Sequence, residues 1–270
     1  MGRAIAGGPH WWLYAMGGAV AVFLISPSVV VVLMSFSSGK MMMFPPPGFG
    51  FEWYRNFFES DEWIGSAVHS LQIGVSAAIL ATCLGTLTAF GLMRARPRLR
   101  QLTNAVILSP MIVPLVVTAI GMYFTYHRAG LSPFLGVVLA HTVLGLPYAV
   151  ITIGASLYGL DADLELAARN LGAGPWRSFF RVTLPLILPG VAVGAIFAFV
   201  SSWDEVVVAL FLTTPTLRTL PVTMWEQTQS TVDPTIAAAS SLLTTFTLLL
   251  MLAALIFRRL SLLAARERAT

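Results

Sequence analysis

The chain has few charged residues and a single cysteine. Of its 270 residues, 10% are charged, 57% are apolar, and only Cys83 is a cysteine. Soluble globular domains carry about 25% charged and about 45–50% apolar residues, so this composition excludes an ordinary soluble protein. The apolar content also excludes a disordered chain, glycine follows no collagen period, and one cysteine excludes a disulfide scaffold. A polytopic membrane protein remains.

Lysine is almost absent as well. The only lysine is Lys40, beside three methionines in a predicted outer loop. A Walker A loop requires a lysine to reach the phosphates of its nucleotide. We therefore expect that this chain does not hydrolyse ATP by that mechanism.

Six long apolar runs are present. A helix crosses a bilayer in about 20 residues, and continuous rather than alternating runs favour helices over a β-barrel. The sequence therefore predicts an all-α membrane protein with six transmembrane helices in a single domain, residues 1–270. The predicted spans cover about residues 11–34, 66–93, 103–126, 134–158, 189–212 and 236–257.

Basic residues concentrate on one side of these spans. The side with both termini holds twelve of the 16: Arg3, Arg94, Arg96, Arg98, Arg100, Arg169, Arg177, Arg181, Arg258, Arg259, Arg266 and Arg268. Lys40, Arg55, Arg128 and Arg218 lie on the other side. Because cytoplasmic loops are rich in Lys and Arg, we expect both termini in the cytoplasm. The net charge of +4 then reflects topology and anionic lipid, not nucleic acid.

The longest outer loop covers about residues 35–65. Three consecutive prolines, residues 45–47, interrupt any helix there, and the stretch FEWYRNFF after them mixes aromatic with charged residues. Such a mixture is typical of an interfacial helix. A plain aromatic belt at the membrane surface is the alternative.

The predicted cytoplasmic loop of about residues 159–188 is neither apolar enough to span nor polar enough to be a tail. A short amphipathic helix is predicted over residues 161–172. Its start and stop signals are the N-cap Asp161, the first-turn acid Asp163, the last-turn Arg169 and the stop residue Gly172. So short a helix is marginal alone in water and needs a surface to dock on. The residues alone leave two interpretations open: a loop on the membrane surface, or a docking element for a cytoplasmic partner.

The run ELAARNLGAGPWRSFFRVTLP resembles the cytoplasmic "EAA" loop of ABC importer permeases. That pattern is Glu-Ala-Ala, three residues, Gly, nine residues, then Ile-x-Leu-Pro. The residues here at the correct spacing are Ala167, Ala168, Gly172, Leu184 and Pro185, with Val182 in place of the isoleucine. One position departs from the pattern, because Leu166 occupies the glutamate position and Glu165 precedes it.

Further runs extend the resemblance over most of the chain. LSPMIVP, LAHTVLGLPYAV, SWDEVVVALFLT, TLPVTMWE and DPTIAAASSLL are similar to the second permease subunit of the spermidine/putrescine class of ABC importers. The resemblance implies a type I importer fold in an inner membrane. It also implies a second permease subunit, an extracytoplasmic solute-binding protein, and a separate ATPase pair that binds ATP and Mg. No cofactor is then expected in this chain.

The resemblance also assigns roles to the loop. It makes the 161–172 helix the coupling helix, seated in a groove of the ATPase. The residues that it assigns to coupling are Asp163, Glu165, Ala167, Ala168, Arg169, Gly172, Leu184 and Pro185.

Acidic residues inside an apolar run are costly and indicate function. Asp204 follows Pro189 by fifteen residues, or roughly 22 Å of helix, in the outer third of the hydrocarbon layer. A polyamine requires carboxylates for its ammonium groups and aromatic faces for its methylenes. The residues that supply both are Trp203, Asp204, Glu205, Trp225 and Glu226.

We hypothesise that Asp204 lines the translocation path and that Glu205 or Glu226 helps to receive the cation. Adjacent helix positions diverge by about 100°, so Asp204 and Glu205 are not expected to bind one small ion together. The alternative is a span that ends earlier, with both acids at the membrane interface.

Prolines and histidines carry weaker signals. Pro110, Pro114 and Pro147 permit kinks, either in pathway-lining or in purely structural helices. His69 and His141 lie in predicted spans with no evident partner, and no histidine shows metal-ligand spacing.

Other functions predict features that the sequence lacks. An intramembrane enzyme requires a nucleophile with a base on a neighbouring span, and Ser156 lacks the Gly-x-Ser-x-Gly frame. A stand-alone secondary transporter usually has more spans and two similar halves. Within the ABC class, an importer of another cationic or amino-acid-derived solute, or of a phosphonate, stays open. The acids beside tryptophans favour a cation.

Overall fold

The computed structural model describes residues 11–39, 43–230 and 233–267. The predictions made for Arg3, Lys40 and Arg268 lie outside these residues. Within them every regular element is a helix, apart from two isolated β-bridges. The predicted all-α class is therefore confirmed.

Twelve α-helices follow one another along the described chain. They are α1 Trp11–Ser35, α2 Glu52–Glu59, α3 Asp61–Arg94, α4 Pro97–Ile112, α5 Leu115–Arg128, α6 Pro133–Tyr158, α7 Ala162–Asn170, α8 Pro175–Ser178, α9 Leu184–Trp203, α10 Val207–Leu212, α11 Leu220–Ser230 and α12 Thr235–Glu267. A π-helical turn, Phe179–Thr183, joins α8 to α9, so residues 175–203 form one continuous helical segment. Five segments are long and apolar enough to cross a membrane, and α4 with α5 makes a sixth if that bent pair counts as one span.

The third predicted span is broken in the middle. The run 103–126 is predicted as one helix, but the helix axis bends by 106° between α4 and α5. Pro114 has no N–H to donate and disfavours helical geometry in the residue before it. Val113 is accordingly extended, with φ −71° and ψ 135°, so the helix ends there.

The fifth predicted span, 189–212, has the wrong bounds. Its helical segment begins at Pro175 and ends at Trp203, and residues 204–206 separate it from α10. Proline is favoured in the first turn of a helix, where its missing N–H costs nothing. The loop predicted over 159–188 is therefore shorter, because residues 175–188 already belong to the helical segment.

The chain divides into two compact units, Met1–Ser60 with Gln227–Thr244, and Asp61–Glu226 with Thr245–Thr270. In the first unit, α2 is fixed by side-chain hydrogen bonds. The Tyr54 hydroxyl is 2.7 Å from Ser35 Oγ and donates to Ser241 Oγ at 3.2 Å, and Asn56 Nδ2 donates to Thr235 Oγ1 at 2.8 Å. The helix predicted from FEWYRNFF is thus attached to neighbouring protein segments, which a plain aromatic belt does not require.

In the second unit, α3, α6 and α9 pack through small residues. A Cβ added to Gly85 of α3 would lie 2.7 Å from the Ala149 side chain of α6, and one added to Gly145 of α6 would lie 3.2 Å from Ala198 of α9. Small residues let membrane helices approach closely where lipid offers no hydrophobic driving force. These three helices form the frame that holds the candidate site.

We expect Gly85→Val to destabilise this frame, because its side chain meets Ala149 at less than contact distance. Overpacking of this kind typically costs about 1–3 kcal/mol. Gly91→Val on the same helix is the matched control, since a Cβ there meets nothing within 4 Å. Thermal unfolding in detergent, followed by tryptophan fluorescence, checks the difference. Equal melting temperatures for the two variants would contradict close packing at Gly85.

Candidate functional site

A cavity of about 430 Å³ lies where two helix breaks meet. One break is the bend at Val113 and Pro114, and the other is the interruption at residues 204–206. The residues that line the cavity are Pro110, Met111, Leu115, Leu144, Tyr148, Ser201, Asp204, Glu205, Val206 and Val207. Most of them are apolar, so its few polar groups determine what it can bind.

Asp204 presents the free negative charge of this cavity. Its backbone N–H bonds to Val200 O at 3.1 Å and closes the last turn of α9. The residue is exposed, and its carboxylate makes no hydrogen bond or ion pair with any described residue. The carboxylate is therefore available to a ligand.

Glu205 has the opposite environment, because its carboxylate is buried and bonded. The residue is only 8% exposed. Its two oxygens accept the backbone N–H groups of Val208 at 2.8 Å and Ala209 at 2.9 Å. The first N–H groups of a helix have no partner within the helix, so Glu205 acts as the cap of α10.

The two histidines have partners that the sequence alone does not identify. His141 Nε2 lies 3.3 Å from Glu205 Oε2 and its Nδ1 lies 2.7 Å from Ser202 Oγ. The Nε2 contact lacks hydrogen-bond alignment. His69 Nδ1 lies 3.2 Å from the backbone oxygen of Arg218. Both partners are distant in sequence, so no local pattern indicates them.

Ser202, His141 and Glu205 together form a buried polar cluster between α6, α9 and α10. A serine beside a histidine and a carboxylate is also the arrangement of a nucleophile with its base. Here all three residues are buried, and Ser202 is absent from the cavity lining. Since Glu205 is occupied by two backbone donors, the cluster fits a structural role better than catalysis.

The structure separates the predicted tryptophans from Asp204. Trp203 is 7% exposed and packs against Phe199 and Phe246, with ring centroids 5.6 and 5.0 Å away. Trp225, on α11, is exposed. Neither lines the cavity. Of the five predicted pathway residues, the cavity brings together only Asp204 and Glu205.

Glu226 belongs to a separate ionic group. Its Oε2 lies 3.1 Å from Arg218 Nε, and Arg218 Nη1 lies 3.1 Å from Glu62 Oε1. One arginine thus joins α3 to α11. Glu226 is thus paired with an arginine that it shares with Glu62, whereas Asp204 has no such partner among the described residues.

Tyr148 is the aromatic residue of the cavity that sequence reasoning missed. It lies on α6, is 37% exposed and lines the cavity with Asp204. An aromatic face beside a carboxylate suits an organic cation. Three prolines could have indicated this part of the cavity. Pro110 lines the cavity, Pro114 makes the bend between α4 and α5, and Pro147 precedes Tyr148.

The predicted loop helix forms with its predicted ends. Asp161 Oδ1 accepts the Asp163 N–H at 3.0 Å, and Gly172 has φ +83°, the left-handed geometry that ends a helix. Residues with exposed side chains include Leu164, Leu166, Ala167 and Leu171. Ala168 is half-buried, Leu184 begins α9 and Pro185 follows it. The helix therefore presents apolar side chains outward.

The adjacent acids should respond differently to removal. Glu205→Ala leaves the backbone N–H groups of Val208 and Ala209 without their acceptor, and each buried donor left unsatisfied costs about 1–3 kcal/mol. Asp204→Ala removes a group without partners among the described residues and should leave stability unchanged. Denaturant unfolding of both variants in detergent measures the difference. A loss of equal size for both would contradict the separate roles.

Comparison with known proteins gives a consistent result. Residues 81–262 match the family model described as "Binding-protein-dependent transport system inner membrane component". The spermidine/putrescine transport system permease protein PotC of Escherichia coli K12 is 30% identical over 260 residues, or 96% of each chain. The putrescine transport system permease protein PotI of the same strain is 32% identical over 229 residues, which cover 82% of this chain and 81% of PotI.

Solved structures share the fold. A chain of a bacterial ABC transporter that imports the acidic polysaccharide alginate superposes with a TM-score of 0.70 at 16% identity, covering 93% of this chain and 95% of that chain. A second alginate transporter structure, in complex with an alginate pentasaccharide-bound periplasmic protein, gives 0.68 at 18% identity over 90% and 92%.

Proposed function

The chain belongs to the family of binding-protein-dependent transport system inner membrane components, and we propose that it forms half of the translocation pathway of an ATP-driven polyamine importer. It is a multi-pass protein of the inner membrane. Spermidine or putrescine is the proposed substrate, as in the names of the relatives PotC and PotI. Twelve of its 16 basic residues favour an orientation with both termini in the cytoplasm.

The observation that carries the substrate class is the unpaired carboxylate of Asp204 in an apolar cavity. A polyamine has ammonium groups on a flexible chain of methylenes. Asp204 offers the countercharge, and Tyr148 offers an aromatic face to the methylenes. Ser201 adds a hydroxyl in the same lining.

The shared fold alone does not select a cation, because the alginate transporter imports an acidic polysaccharide. The charge of the cavity supplies the discrimination. A free carboxylate repels a phosphonate and attracts an ammonium group. Another cationic or amino-acid-derived solute satisfies the same chemistry and is the second candidate.

We propose that Glu226 and Trp225 receive the cation on the outer side. Glu205 supports Asp204 because it caps α10, the helix that follows Asp204. Trp225 is exposed beside Glu226 on α11. Because Arg218 pairs with Glu226, an arriving cation would compete with that arginine. Asp204 requires no such exchange.

Energy enters in this proposal through a separate ATPase pair that binds ATP and Mg. The exposed loop helix supports the docking role, since its apolar side chains face outward. The residues proposed for coupling are Asp163, Glu165, Ala167, Ala168, Arg169, Gly172, Leu184 and Pro185. A second permease subunit completes the pathway, and an extracytoplasmic binding protein delivers the solute.

Asp204→Asn should reduce spermidine uptake at least tenfold in proteoliposomes that contain the assembled transporter. The reason is the lost countercharge, while the shape and the fold are kept. Glu59→Gln is the control, because that acid lies in an exposed pair with Arg55 at 2.7 Å and such pairs contribute little. Unchanged uptake by Asp204→Asn, with normal subunit assembly, would remove Asp204 from the pathway.

The substrate class is tested by stimulation of ATP hydrolysis. The ATPase should co-purify with this chain, and spermidine or putrescine with the binding protein should raise its hydrolysis rate several-fold. Amino-acid-derived cations and a phosphonate are the comparison solutes. Stimulation by the phosphonate and not by polyamines would overturn the proposed substrate.

A further inference from the structure

Glu165 is one residue away from the position where the importer pattern has its glutamate, which Leu166 occupies. One residue corresponds to about 100° around a helix. The shift therefore turns the carboxylate onto a different face of α7, and the contacts of that face show what it does.

The Glu165 carboxylate is bonded within the chain. Its Oε1 accepts from Nη2 of Arg94 and from Nη2 of Arg169, the latter at 2.8 Å. The side chain is 20% exposed, against 41% for Arg94 and 46% for Arg169. Arg169 lies one turn along the same helix, but Arg94 is the last residue of α3. The pair Arg94–Glu165 therefore joins the loop helix to a transmembrane helix.

Arg94 is itself held in place. Its guanidinium carbon lies 4.2 Å from the centroid of the Phe90 ring. That ring meets Phe179 edge-on at 4.9 Å, and Phe179 lies in the π-helical turn of the 175–203 segment. The ionic contact thus continues into the helices that carry the cavity.

The outward face of α7 differs from the face of Glu165, because it carries exposed apolar side chains. Leu166 is 55% exposed and Leu171 is 89% exposed, so apolar side chains stand where a partner would dock. Glu165 instead lines a small cavity of about 80 Å³ together with Met93, Leu157 and Leu186. Docking and linkage use separate faces of one short helix.

We propose that Glu165 is a positioning residue that links the loop helix to α3 through Arg94, and not a contact to the ATPase. This inference rests on the proposed function, because it assigns the link to a coupling device. When the ATPase moves α7, the pair passes that movement to the end of α3. The shifted glutamate is then the feature that makes the link possible.

The test uses Cys83, the only cysteine of this chain, as a reporter. Cys83 is exposed on α3, and a fluorophore on it reports movement of that helix when Mg-ATP is added to the assembled complex. Arg94→Gln and Glu165→Gln should each reduce the ATP-induced signal at least threefold, and Arg94→Lys should keep most of it. Arg96→Gln is the matched control, because the Arg96 side chain makes no hydrogen bond or ion pair with a described residue.

A second variant, Glu165→Leu with Leu166→Glu, restores the glutamate to its pattern position. We expect it to behave like Glu165→Gln, with at least threefold less solute moved per ATP hydrolysed and with the ATPase still bound. An ATP-induced signal as large as that of the unmodified protein, in this double variant or in Arg94→Gln, would contradict the proposed link. If the parental complex responds to ATP but takes up no polyamine, the proposed substrate fails while the link stands.

Discussion

Buried backbone N–H and C=O groups need hydrogen-bond partners, and the helix breaks of this structure depend on that requirement. Within a membrane, water cannot satisfy the N–H groups freed where a helix stops, so the protein must do so itself. Between α9 and α10 this task falls to Glu205, whose two oxygens accept from Val208 and Ala209. His141 faces the same carboxylate at 3.3 Å. Because Glu205 satisfies the break, its neighbour Asp204 can remain unpaired at the cavity.

At the second break, between α4 and α5, the backbone groups find hydrogen-bond partners more simply. Pro114 lacks an N–H, the Val113 N–H still reaches Ser109 O at 3.0 Å, and the Pro114 oxygen accepts from Val117 and Thr118 at 3.0 and 3.1 Å. Transporters commonly form their binding sites at interrupted helices. Here two interruptions line one cavity, which explains how a predominantly apolar region contains both open space and a free charge.

Local signals predicted the ends of α7 well, and tertiary contacts account for the missed end of α9 and for Tyr148. The missed break between α4 and α5 is different, because it follows from Pro114 itself. Asp161 and Gly172 set the ends of α7 as expected, because N-cap and left-handed glycine geometry depend on neighbouring residues only. The end of α9 was missed because apolar residues continue through Val207–Leu212, while the stop depends on a carboxylate held by His141, 64 positions upstream by residue number. Tyr148 was missed for the same reason, since only the packing of α6 brings it to Asp204. The acids themselves were found, because charge within an apolar run is visible in the sequence.

The carboxylate contacts of Glu205 and Glu165 differ in a way that matches their proposed tasks. Glu205 is 8% exposed, and a buried charged contact is costly to disturb, which suits a break that must keep its shape. The Arg94–Glu165 pair is partly exposed, and such pairs are weak and readily remade. A link between a moving loop helix and a transmembrane helix has to tolerate displacement in every transport cycle. A strong buried pair there would resist the movement that the link is proposed to transmit, so its exposure to water is a functional advantage.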